Sequence, residues 1–304
     1  MHARNYLKRI VRYAAPIWRA DPEVALAAVA QCGQALRFIP EAGKEVVLAA
    51  LANDGLAIEH APHWHQDPEV GLAAVARTGQ ALKFIGGLAG KDVVVAAVSK
   101  DGMAIAHAPP RYQRDADVAL AALTQNGRAL QFILPPPTSS SSSSSADVGK
   151  NLVLAAVTQD GAALEFAAPA YRSDKAVVAA AMRSNGLALR WVPEIHQRSH
   201  KEAVLAAVAQ NGLALQYVAV SVWRVDKEIV FAAVSQNGNA LKYVPETHRS
   251  KDTKSVLAAV AQCGTSLQYA SPNQRADKKM VLAAVAQDSA ALQFAAKNLQ
   301  SAFM

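Results

Sequence analysis

One phrase recurs along the whole chain and limits the fold more than any other feature. Val204-Leu205-Ala206-Ala207-Val208-Ala209-Gln210-Asn211-Gly212 returns with its glycine at Gly33, Gly55, Gly79, Gly102, Gly127, Gly161, Gly186, Gly212, Gly238 and Gly264, and with Ser289 in the last slot. The slots are 22 to 26 residues apart, except for one gap of 34. A period of this size means that each copy is one supersecondary unit that buries its apolar face only against its neighbours. The 304 residues therefore predict an elongated array rather than one closed core.

Other positions lock to the glycine. An Ala-Ala pair precedes it in every copy, from Ala27-Ala28 to Ala283-Ala284. Leu or Ile follows three residues later (Leu36, Ile58, Leu215, Leu292), and a ring follows at five (Phe38, His60, Trp191, Tyr217, Phe294). Twelve residues before the slot stands Asp21, Asp67, Asp115, Asp174, Asp226, Asp252 or Asp277, with Gly43, Gly90 and Gly149 in three other copies. Asp is a good N-cap, because its carboxylate accepts from an orphan N–H of the first turn. Each copy thus predicts an eleven-residue A helix, ended by a glycine in the left-handed region, and then a short B helix stopped by proline. On this reading Ser289 fits its slot worse than glycine.

The fold class that follows is all-α: an α-solenoid of about eleven tandem two-helix repeats of ~25 residues, an armadillo/HEAT-like superhelix. Composition agrees. Hydrophobic residues make up 52% of the chain but aromatics only 6%, so alanine carries the apolar count, as in closely packed helices. Residues 1–20 read as a degenerate half-repeat or N-terminal extension, 21–134 as repeats 1–5, and 149–298 as repeats 6–11, with a tail at 299–304. Between the two blocks, 135–148 is a Pro/Ser-rich segment containing the low-complexity tract Ser139 to Ser145, expected to form a flexible loop without helix.

These residues resemble the helical repeat of domain of unknown function 4116: Asp, an apolar run, Ala-Ala, a polar pair with Asn-Gly, then Leu and an aromatic. Asp226 to Tyr243 fits best, and the resemblance covers about residues 21–296. It implies an architecture and brings no activity, so no functional residue is carried over.

Chemistry is sparse. His60, His63 and His65 lie near Trp64, and His196 and His200 have the i, i+4 spacing of a helical metal pair, but no acid or cysteine at a suitable spacing joins them. Most acids are accounted for as caps. No catalytic residue, cofactor, metal or small-molecule substrate is expected, and the chain reads as a non-enzyme. Cys32 and Cys263 occupy the same repeat position, which suggests small buried side chains and an intracellular, reducing compartment, the cytoplasm first. Arg4, Lys8, Arg9, Arg12 and Arg19, with no acid in 1–20, leave organelle targeting open. The uncharged run from Ala203 to Trp223 contains Gln210, Asn211, Gly212 and Gln216 and reads as a buried repeat, not a membrane span.

One pattern points to partners. Arg19, Arg172, Arg224 and Arg275 stand two residues before a cap Asp, Arg114 stands one before, and Arg198 and Arg249 fill neighbouring loop positions. In a solenoid these form a ladder along one edge. With a net charge of +7, such a ladder suits the phosphates of RNA or another polyanion. The seven cap carboxylates would offset much of it, however, and favour the plainer reading that each arginine pairs with an adjacent cap carboxylate or a facing helix carbonyl. The primary expectation is a protein–protein interaction scaffold, and the alternative is a nucleic-acid-binding solenoid.

Overall fold

The structure, a computed structural model, describes residues 21–39, 41–134, 143–219 and 223–301. The N-terminal extension 1–20 with Arg19, and the first part of the Pro/Ser segment, 135–142, lie outside the described residues. The chain forms two compact units, residues 1–159 and 160–304, each an all-α repeat solenoid. Among the described residues, no helix is long and apolar enough to cross a membrane.

The A helices of the first unit are Pro22–Gln31, Lys44–Asn53, Pro68–Arg77, Lys91–Lys100, Ala116–Gln125 and the longer Ser143–Gln159. Those of the second are Lys175–Ser184, Lys201–Gln210, Lys227–Gln236, Thr253–Gln262 and Lys278–Gln287. The predicted aspartate caps are in place: Asp21 Oδ1 accepts from the N–H of Glu23 and Val24 at 3.0 and 3.1 Å, and Asp226 does the same for Glu228 and Ile229. Gly149 is not a cap. Its helix begins at Ser143, so residues 143–148, expected in a loop, are helical.

Among the described residues the B helices are 3-10 turns, such as Gly33–Phe38 and Gly212–Tyr217, with α geometry only at Leu82–Ile85. The glycine conformation also differs from expectation, because no described glycine has positive φ. The A helix ends one residue earlier, at an extended residue that is Asn or Asp in all copies but those of Cys32, Thr78 and Cys263; the Asn or Asp side chain then caps the B helix, as Asn211 Oδ1 accepts from Leu213 N at 3.1 Å. Glycine is needed for a different reason. A Cβ at Gly212 would come closer than 3.0 Å to the carbonyl oxygen of Ala233 in the next A helix, and Gly238 stands in the same relation to Ala259. The proline after the ring likewise does more than stop a helix. In several copies it opens a third, one-turn helix, Pro110–Gln113, Pro169–Arg172 or Pro272–Arg275, so the longer repeats have three elements. The last such turn, Lys297–Gln300, takes up the start of the expected tail, and residues 302–304 lie outside the described residues.

Within each unit the A helices lie against their successors, and a B helix such as Gly212–Tyr217 packs on both its own A helix and the next. Ala207 and Val208 are fully buried, as is Leu215 of the B helix. Cys32 and Cys263 are free and only half-buried, not buried as expected. A second link joins successive copies. The N–H of Gly102, Gly186 and Gly238 donates to Oε1 of Gln125, Gln210 and Gln262 in the next A helix, at 2.6, 2.8 and 2.6 Å. The Gln of the recurring Gln-Asn-Gly phrase thus satisfies an orphan helix-start donor one repeat earlier.

Ion pairs tie the A-helix starts together. Lys44 reaches Asp67 and Glu69 at 2.9 and 2.6 Å, and Lys91 reaches Asp115 and Asp117 at 2.8 and 3.2 Å. The hydrogen bond from Lys91 holds the Asp115 carboxyl below its ordinary value of 3.8. A carboxyl depressed in the folded state adds stability above its unfolded pKa and loses it as pH falls through the lower folded value. Asp115→Asn should therefore melt below wild type at pH 7, and the gap should close below the ordinary aspartate range. Thermal melts across pH check this; a gap unchanged at acid pH would contradict it.

Candidate functional site

The burial pattern of the A helix leaves an apolar residue on its open side. In Lys201–Gln210 the buried positions are Ala203, Val204, Ala207 and Val208, so Glu202, Leu205, Ala206 and Ala209 share the opposite face. The residue seven before the glycine is central on that face, and it is large and apolar in nearly every copy. It is Leu72, Leu120, Phe231, Leu257 and Leu282 in five copies, with 39, 48, 37, 42 and 43% exposure. Leu26, Leu48, Val95, Leu154 and Leu205 fill the same place half-buried. Side-by-side A helices thus carry a row of protruding apolar side chains along one face of each unit. Singly exposed leucines are ordinary, but an aligned row marks an interaction surface.

The floor around the row is made of small residues. In the first unit Leu120, Ala121 and Thr124 face Ser99 across an open groove of about 540 Å³. In the second, Ala179 stands where the other copies hold a large residue, leaving a hollow of about 300 Å³ bordered by Lys175, Arg183, Glu202 and Ala206. Charged residues at the helix starts edge the row, and these change sign along the chain. The residue ten before the glycine is Glu23, Glu45, Glu69, Asp92 and Asp117 in the first five copies and Lys254 and Lys279 in the last two.

The arginine ladder looks largely inward. Arg172 donates from Nε to the carbonyl of Ala167 and from Nη2 to that of Glu165, both at 2.8 Å. Arg224 binds the carbonyls of Val218, at 2.7 Å, and Gln216. Burial lowers the Arg224 pKa, against the weaker opposing pull of Glu194. Other copies do the same work without an arginine: Gln113 Nε2 donates to Ile105 O at 3.1 Å and Gln300 Nε2 to Ala295 O at 2.9 Å. The position therefore serves the carbonyls that end the B helix. Arg249 and Arg275 are half-buried and have a buried Nε without a hydrogen-bond partner, whereas Arg114 and Arg198 are exposed. Arg19 lies outside the described residues.

The histidines are likewise tied into the repeat. His60 Nε2 lies 3.0 Å from Gln34 Oε1, His65 Nε2 lies 2.9 Å from Ile58 O, and His200 Nδ1 meets His196 O. Among the described residues no group of three or more His, Cys, Asp or Glu is placed to hold a metal ion.

The apolar row was present in the sequence as the Leu of Val-Leu-Ala-Ala. It is overlooked when every apolar residue of a repeat is assigned to the core; plotting the helix with its four buried positions isolates it. A family model described as domain of unknown function (DUF4116) matches residues 91–135, 150–197, 200–249 and 255–300, more than half of the chain. Each match spans two A helices and their B helices. No curated protein and no solved structure matches the chain.

Proposed function

Because this chain belongs to the family described as domain of unknown function (DUF4116), whose description states no activity, we propose its function from its surface: a non-catalytic scaffold that binds a protein segment along the open face of the A helices. The observation that carries this reading is the aligned row of Leu72 and Leu120 in one unit and Phe231, Leu257 and Leu282 in the other. A repeat that can bury its leucines elsewhere in the stack has no folding reason to hold one in solvent at the same place in copy after copy. The recurring aspartates are engaged as helix caps, which supports a binding role over an enzymatic one. Two free cysteines support a reducing intracellular setting. The polyanion reading has less support, since Arg172 and Arg224 spend their donors on carbonyls.

A display library of helical peptides panned against the full chain tests the proposal. Peptides selected by wild type should lose at least about tenfold in affinity on the Leu72→Ser/Leu120→Ser and Phe231→Ser/Leu257→Ser/Leu282→Ser variants, a change of about 1.4 kcal/mol. Both variants should keep wild-type helicity, because each site is exposed. Selected peptides that bind the variants as well as wild type would overturn it.

A further inference from the structure

The sign of the charge beside the apolar row runs against helix electrostatics at one end. The second residue of an A helix sits among unpaired N–H groups at the positive end of the helix dipole, where an acid is favoured and a cation is not. Glu23, Glu45, Glu69, Asp92, Asp117, Glu202 and Glu228 obey that preference. Thr253–Gln262 and Lys278–Gln287 break it with Lys254 and Lys279, and Lys278 occupies the first position of its helix. Lys44, Lys91, Lys175 and Lys201, each first in its helix, are compensated by acids of the next repeat, Lys201 by Asp226 and Glu228 at 3.0 and 2.9 Å; among the described residues Lys227 makes no such pair. Among the described residues, Lys254, Lys278 and Lys279 make no such ion pair; all three are exposed. Lys254 lies 4.7 Å from the ring centroid of Phe231, which holds its ammonium at the edge of the row.

We propose that the last three A helices dock an acidic amphipathic helix, its leucine-type face on Phe231, Leu257 and Leu282 and its carboxylates on Lys254, Lys278 and Lys279. This rests on the reading of the A-helix face as a peptide-binding surface and adds the chemistry of the partner. The spacing suits a helix laid across the repeats. Packed A helices are about 8–10 Å apart, and residues i and i+7 of a helix lie about 10.5 Å apart on one side. One apolar residue per heptad therefore meets one row member per repeat, with the intervening acids beside the lysines. Nucleic acid would answer the lysines and leave the three apolar side chains uncovered. A flat anionic bilayer would also have to seat Glu202, which lies outside the three docking helices, on the same face.

The test is fluorescence anisotropy with the full chain and a labelled helical peptide of three heptads, leucines on one face and glutamates elsewhere. The comparators are the same peptide with lysine for glutamate, an oligouridylate, and phosphatidylserine vesicles. The acidic peptide should bind, and Lys254→Glu/Lys278→Glu/Lys279→Glu should weaken it at least about tenfold. That variant should melt no lower than wild type, because it places acids where the helix dipole favours them, so lost binding is not lost folding. Binding of the lysine peptide in preference to the acidic one, in a manner dependent on Phe231, Leu257 and Leu282, overturns the acidic assignment and leaves the scaffold reading intact. Acidic-peptide binding unchanged in the triple variant overturns it too. Lysine-dependent capture of oligouridylate or vesicles, with neither peptide bound, overturns it in favour of that ligand.

Discussion

Gly212→Ala is expected to destabilise the chain by about 3 kcal/mol, because the added methyl has nowhere to go. Its Cβ would press on the carbonyl oxygen of Ala233, which belongs to the backbone of the adjoining A helix and cannot turn aside as a side chain would. Moving that helix would also stretch the bond from Gly212 N–H to Gln236 Oε1, 2.5 Å long. The backbone at Gly212 has negative φ, so local conformation alone would favour alanine over glycine by roughly 0.5–1 kcal/mol. A large loss therefore isolates the close approach of the repeats as the reason for glycine. Ser289 supplies the control: exposed in the corresponding slot, it tolerates a side chain, and Ser289→Ala should stay within about 0.5 kcal/mol of wild type. Urea unfolding followed by far-ultraviolet circular dichroism measures both, and a Gly212→Ala loss below about 1 kcal/mol would mean that the stack relaxes around the methyl.

Leu215→Ala should cost roughly 2–5 kcal/mol. The side chain has 0% exposure on the B helix Gly212–Tyr217, which packs on both Lys201–Gln210 and Lys227–Gln236. Removing it opens a cavity between two copies, and each repeat is held mainly by its neighbours, so the damage spreads to both. Leu257→Ala, a change of the same size at 42% exposure, should be close to neutral. The contrast between two leucines of one repeat family measures directly which belongs to the core and which to the open face. Equal losses would place Leu257 in the core and remove it from the candidate site.

Local chemistry written in the sequence was enough for the all-α class, the A-helix starts at Asp21, Asp67, Asp115, Asp174, Asp226 and Asp277, and the buried Leu/Ile position. A cap and its N–H lie two or three residues apart, and an apolar period shows within one helix, so neither needs a neighbour to be read. Where the partner sits in the next copy, the tertiary structure decided. Gln210 bonds Gly186 across 24 residues, and the Gly212 slot is emptied by the Ala233 carbonyl, not by its own dihedral angles. The one-turn helices after the rings have no period to detect, and glycine and serines at 143–149 carry no mark of the helix that includes them. The candidate site divides the same way. A large apolar residue at nearly every open-face position is a property of the sequence, but only the stacking of A helices turns isolated residues into a row. The arginines made the opposite passage: they stand as a ladder in the sequence, and packing turned Arg172 and Arg224 onto carbonyls of their own repeats, because an unpaired helix-end carbonyl beside a long cationic side chain is the nearest acceptor it meets.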